Sequence, residues 1–161
     1  MSAALMATIL LGCKDANQKT EDHDIVENTE VIMPGHDQEI TAESSSLDNS
    51  WRDEIVLNDG KKWVANAETN EGVDKMLQLI ETEHPKTVEQ YHTLASKLND
   101  EKNYVVKKCT MEGPSHDNLH IFLHPLIEKI EALQSVSTVD EGADMTMRIK
   151  ENLEAYKNYF E

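Results

Sequence analysis

Cys109, Met111, His116, His120 and His124 fall within sixteen residues of one another. All five side chains can bind metals. The three histidines are spaced by four, so in a helix they line one face. Thiolate and thioether are soft donors and imidazole is borderline; the mixture suits copper(I) or zinc and does not suit magnesium or calcium. Cys109, His116 and His120 are therefore the expected ligands of copper or zinc, with Met111 available as a fourth and haem a less favoured occupant. The remaining histidines add little. His23 and His36 lie among acids, His84 precedes Pro85 at the opposite end of the expected fold, and His92 is four to five turns from Cys109 along the same helix.

Such a cluster needs elements that bring its parts together. Val73, Met76, Leu77 and Ile80 fall on one face of a helix expected over 66–83, with Asn66 placed to cap it. A second helix is expected over 85–111. Val88, Ala95, Lys102 and Cys109 form one heptad row on it, and Tyr91, Leu98 and Val105 form the companion row. Gly113-Pro114-Ser115 breaks the pattern, and Ser115 can cap the helix that follows. A third helix then carries Leu119, Leu123, Leu126, Ile127, Ile130 and Leu133 to about Ser135, and Pro125 inside it should kink or loosen it. A fourth, capped by Thr138 or Asp140, presents Met145, Ile149, Leu153, Tyr156 and Phe160. Four amphipathic helices with short connections predict an all-α, up-down four-helix bundle over 51–161. Before it, Ile55-Val56-Leu57 and Lys61-Lys62-Trp63-Val64 flank Asn58-Asp59-Gly60 and read as a short β-hairpin-like segment.

In that bundle the end of the second helix meets the start of the third. Axes of packed helices lie ~8–10 Å apart, a gap that one cysteine and one histidine can bridge through a shared ion. Measured around the third helix from its apolar centre, His116 lies roughly 60° away, His120 roughly 100° and His124 roughly 140°. His116 should turn inward, His120 stand to the side and His124 face solvent. The competing expectation is an inert cysteine packed as a small core residue beside a polar flank of histidines.

The N-terminal part has a different character. Residues 1–13 are apolar and end at Leu10-Leu11-Gly12-Cys13, which looks like a bacterial lipobox. The run is too short to span a bilayer, which takes ~20 residues, but it fits a signal segment with Cys13 as the lipidated residue. No Lys or Arg precedes it. The protein is then expected outside the cytoplasm, anchored to a bacterial membrane by lipid. Cys13 would be unavailable for a disulfide, leaving Cys109 as a lone thiol in an oxidising compartment. Residues 14–50 carry two basic and ten acidic side chains, against 13 basic and 21 acidic over 51–161. The net charge of -16 thus divides into equal halves, one concentrated in a stretch expected to be a disordered acidic linker. The acidity argues against nucleic acid as a partner, because phosphate neutralisation needs basic patches.

The segment Cys109-Thr110-Met111-Glu112-Gly113-Pro114-Ser115-His116-Asp117-Asn118-Leu119-His120, with Leu57-Asn58-Asp59-Gly60-Lys61-Lys62-Trp63, resembles a family of small uncharacterised lipoproteins of Bacteroidota-type bacteria. The resemblance covers 52 to about 134 and the lipobox, and implies a helical bundle on the cell envelope. It implies little about activity. The sequence contains no phosphate-binding glycine loop, no haem-attachment motif and no serine-nucleophile motif. The functions that follow are a lipid-anchored metal binder or a structural module that docks another envelope protein; an enzyme is the weakest expectation.

Overall fold

The computed structural model describes residues 47–161. Cys13, the signal segment and most of the expected linker lie outside them. Within them the chain forms a 3-10 turn at Ser50–Asp53 and four helices: α1 Ala67–Thr82, α2 Val88–Lys108, α3 Gly113–Gln134 and α4 Val139–Tyr159. Sequential helices pack on each other and α1 closes the ring against α4, giving the expected four-helix bundle. Among the described residues no helix is long and apolar enough to cross a membrane.

Local chemistry sets the helix ends. α4 begins with a full capping box: Thr138 Oγ1 accepts the Glu141 N–H, and the Glu141 carboxylate accepts the Thr138 N–H in return. The Ser137 N–H, which also donates to this carboxylate, and then the Thr138 N–H hold the Glu141 carboxyl below its ordinary range. α2 starts at Val88 rather than Pro85, because Thr87 takes the capping role and accepts the Gln90 N–H. α3 starts two residues before Ser115, with Glu112 at the N-cap and Pro114 in the first turn, where a missing N–H costs nothing. It runs through Pro125 as one helix, and the proline is buried in it.

The core is continuous through the bundle. Val73, Met76, Leu94, Leu98, Val105 and Phe122 are completely buried, as are Leu126, Ile130, Leu133, Ile149 and Leu153. Gly142 lets α4 approach α2 closely: a Cβ there would lie 2.4 Å from the ring of Tyr91. The hairpin-like segment is realised as a single turn. Asp59 and Gly60 both take positive φ, and the Asn58 and Lys61 backbones bridge. Its second arm then leaves the first and pairs with the C-terminus. Trp63 N–H donates to Tyr159 C=O at 2.7 Å, and Glu161 N–H donates to Trp63 C=O at 2.9 Å.

Residues 47–50 of the stretch read as linker are also gathered onto the bundle. Arg148 donates to Leu47 C=O, and Asn49 donates to Glu151. Trp51 is buried edge-on against Phe122 and also meets Tyr159. Beneath this strap Lys129 is fully buried, its ammonium donating to Asn152 Oδ1 at 2.8 Å and Asn49 Oδ1 at 3.1 Å. Burial, then the neighbouring Arg52 guanidinium, push its pKa down to about 8.

Candidate metal centre

α2 stops at Lys108, one residue short of the thiol. Cys109 is its C-cap, with extended backbone and its N–H still donating to Val105 C=O at 2.9 Å. Lys107 and Lys108 complement the carbonyl end of the helix. The bend is gripped from a distant part of the chain. Asn66, the N-cap residue of α1, makes no side-chain cap of its own helix. Its amide instead donates to Lys108 C=O at 3.2 Å, and its carbonyl accepts the Thr110 N–H at 3.5 Å and the Thr69 hydroxyl at 2.8 Å. Asn66 thus holds the peptides on both sides of Cys109. On the other flank Asn118 ties the start of α3 to the turn segment, donating to Pro114 C=O at 2.8 Å and accepting the Val56 N–H at 2.9 Å.

These contacts leave Cys109 half-buried, its Sγ 3.7 Å from Nδ1 of the half-buried His116. A thiolate at ~2.3 Å and an imidazole nitrogen at ~2.0–2.1 Å from one ion, subtending ~110–120°, stand ~3.6–3.8 Å apart. The same separation also fits a weak thiol–imidazole hydrogen bond. His120 lies one turn further along α3, its ring centroid 4.4 Å from that of His116 and tilted by 46°. Cys109, His116, His120 and His124 edge one cleft of about 220 Å³. Its remaining wall is apolar: Val106, Leu119, Leu123 and Ile127.

His116 is half-buried, and His120 and His124 are both exposed, which agrees with His116 as the most inward of the three. His124 Nδ1 faces Glu128 Oε1 at 3.3 Å, while Oε2 of that carboxylate is buried with no hydrogen-bond partner. Met111 is packed against the core and does not line the cleft. Among the described residues no three His, Cys, Asp or Glu side chains surround one point as ion ligands. Cys109 and His116 form a pair, and His120 adjoins it through ring contact rather than as a convergent third donor. His92 lies elsewhere, donating from Nε2 to Val136 C=O at 2.9 Å.

Two features of the site's surroundings were not read from the sequence. One is the Asn66 grip, which joins residues more than forty positions apart and has no local pattern. The other is the partner of the Tyr156 hydroxyl, which donates to Asn70 Oδ1 at 2.8 Å. Burial, then the Asp74 carboxylate and Cys109, push the Tyr156 phenol well above the ordinary range.

No family model matches the chain, and neither a curated protein nor a solved structure does.

Proposed function

We propose that the protein is a lipid-anchored component of a bacterial cell envelope that holds a soft metal ion, copper or zinc, at the α2–α3 end of its bundle. The observation that carries this reading is the 3.7 Å separation of Cys109 Sγ and His116 Nδ1, the spacing of two ligands around a common ion. His120 is the third donor, and it reaches the ion by a change of rotamer that its exposure permits. Met111, turned to the core, enters only if the loop moves. Haem ranks below the metals, because a cleft of about 220 Å³ is smaller than the ~300–1,000 Å³ usual for cofactor pockets. The lipid anchor rests on the Leu10-Leu11-Gly12-Cys13 pattern.

A second reading is favoured by a specific observation: the cleft wall is mainly apolar, and Val106 at its edge is 53% exposed. On this reading the same end of the bundle docks another envelope protein and takes no metal.

Metal content separates the two. Reduced full-length protein is exposed in turn to copper(I) and zinc, freed of excess and analysed for bound metal, alongside Cys109→Ser and His116→Ala. The metal reading expects an equimolar ion in the wild type and its loss in both variants. A wild type that retains neither ion refutes it and leaves the docking reading.

A further inference from the structure

We infer that the Cys109–His116 cleft selects a monovalent soft cation, copper(I), over zinc(II). The inference rests on the metal-binding reading above and specifies its ligand.

Charge is the first ground. Among the described residues Cys109 is the only one edging the cleft that becomes an anion on binding a metal; the rest are imidazoles and aliphatic side chains, and no carboxylate is among them. When copper(I) binds, the thiol proton leaves to solvent, a sulfur–copper bond forms, and the oxidation state of neither atom changes. One thiolate and one monovalent ion leave the site neutral. Zinc(II) in the same place leaves a net positive charge beside the apolar side chains of Val106, Leu119, Leu123 and Ile127, with no lining carboxylate among the described residues to offset it. The carboxylate that continues the histidine row, Glu128, is engaged with His124 and stands ~12 Å along α3 from His120, at ~1.5 Å per residue.

Donor number is the second ground. Structural zinc sites are closed by four protein ligands in a tetrahedron. Here Cys109 and His116 stand as a pair, His120 adjoins them through its ring contact with His116, and Met111 does not line the cleft. A soft d10 monovalent ion is satisfied by three such donors. The 3.7 Å between Sγ and Nδ1 is shorter than the ~4.3–4.4 Å of a straight sulfur–metal–nitrogen arrangement at the same bond lengths and favours a bent one. The bent pair leaves a third coordination position open, and the exposed His120 is the nearest side chain to it.

The test uses reduced, full-length protein under anaerobic conditions. Copper(I) is delivered from a chromophoric copper(I) chelator, silver(I) serves as a monovalent ion without redox chemistry, and zinc(II) is added in excess as competitor. The expected result is one copper or silver per chain, a sulfur-to-copper ultraviolet band, and no displacement by a large molar excess of zinc. Cys109→Ser abolishes binding. His120→Ala weakens copper(I) affinity by about tenfold or more while the far-ultraviolet circular dichroism stays that of the wild type. Displacement of copper by zinc overturns the selectivity and leaves the metal reading standing. Absence of binding by all three ions overturns both. Unchanged copper(I) affinity in His120→Ala overturns the three-donor geometry on which the selection depends.

Discussion

Lys129 gives the sharpest quantitative test of the fold. Its side chain is fully buried, and among the described residues its charge is met by two amide oxygens, those of Asn49 and Asn152, and by no directly bonded carboxylate. Burial acts first and the Arg52 guanidinium second to lower its pKa from 10.5 to about 8, partly opposed by Asp48 and Glu151. Below pH 8 the lysine is protonated in both folded and unfolded chains, and the folded state carries the whole cost of the buried charge. From pH 8 to 10.5 the folded state gives up the proton first, so the unfolded state binds more protons and stability rises with pH. Above 10.5 both forms are neutral and the cost is gone. At ~1.36 kcal/mol per pH unit the full cost is ~3 kcal/mol, of which ~2 kcal/mol is relieved between pH 7 and 9.5. Lys129→Met removes the titration. Both proteins are unfolded in urea at fixed ionic strength and followed by circular dichroism. The wild type should gain ~2 kcal/mol on the variant across that interval, whatever the offset between them at neutral pH. Contributions from Tyr156 and other titrating groups are common to both chains and cancel in the difference. Parallel pH profiles for the two proteins would refute the assignment of a buried, charged Lys129.

Two further outcomes follow from the packing and the turn. Gly142→Ala places a methyl group 2.4 Å from the buried Tyr91 ring, so it should destabilise the bundle by ~1–3 kcal/mol despite alanine's better helix propensity, read as a fall in the urea midpoint; an unchanged midpoint would mean that α4 and α2 separate more easily than the structure implies. Asn66→Ala removes the bonds to Lys108 and Thr110 on either side of Cys109, and should cost ~1 kcal/mol of stability and speed alkylation of the metal-free thiol; an unaltered alkylation rate would show that Asn66 does not set the exposure of Cys109.

The bundle was legible because its helices are long, periodic and separated by strong breaks. Val73, Met76 and Ile80 on α1, and Leu119, Leu126, Ile130 and Leu133 on α3, are buried as their spacing requires. Thr138 caps α4 because a threonine followed three residues later by Glu141 leaves few alternatives. Pairing was less legible. The Asn58–Lys61 turn has the residues of a hairpin, but the arm after it finds its partner at Phe160, nearly a hundred positions away. Lys129 was passed over although its place was readable: Phe122, Leu126, Lys129 and Leu133 follow one helical row, and the row is buried without interruption. A lysine in such a row reads as a solvated residue until the strap of residues 49–51 is seen to close over it. The burial of His116 relative to His120 and His124 came from angle alone, whereas the approach of Cys109 to His116 depends on where α2 ends, which periodicity does not fix.

That ending is what gives the site its character. A helix continued to Met111, as the heptad rows suggest, would have placed Cys109 one turn beyond the fully buried Val105 and on the same side, inside the core seam. A thiol there would be a small apolar filler, out of reach of an ion from solvent. The observed chain leaves the helix at Lys108, and the extended backbone of Cys109 carries the sulfur sideways to His116 and leaves it half-buried. Nothing in the residues 105–109 compels the helix to stop there; valine and lysine continue a helix readily enough. The stop coincides with the two bonds from Asn66, which engage the carbonyl of Lys108 and the N–H of Thr110. Asn66, at the start of α1, thus grips the bend on both sides of a half-buried Cys109, and it is there that a substitution should change the reactivity of the thiol without touching any residue of the cleft.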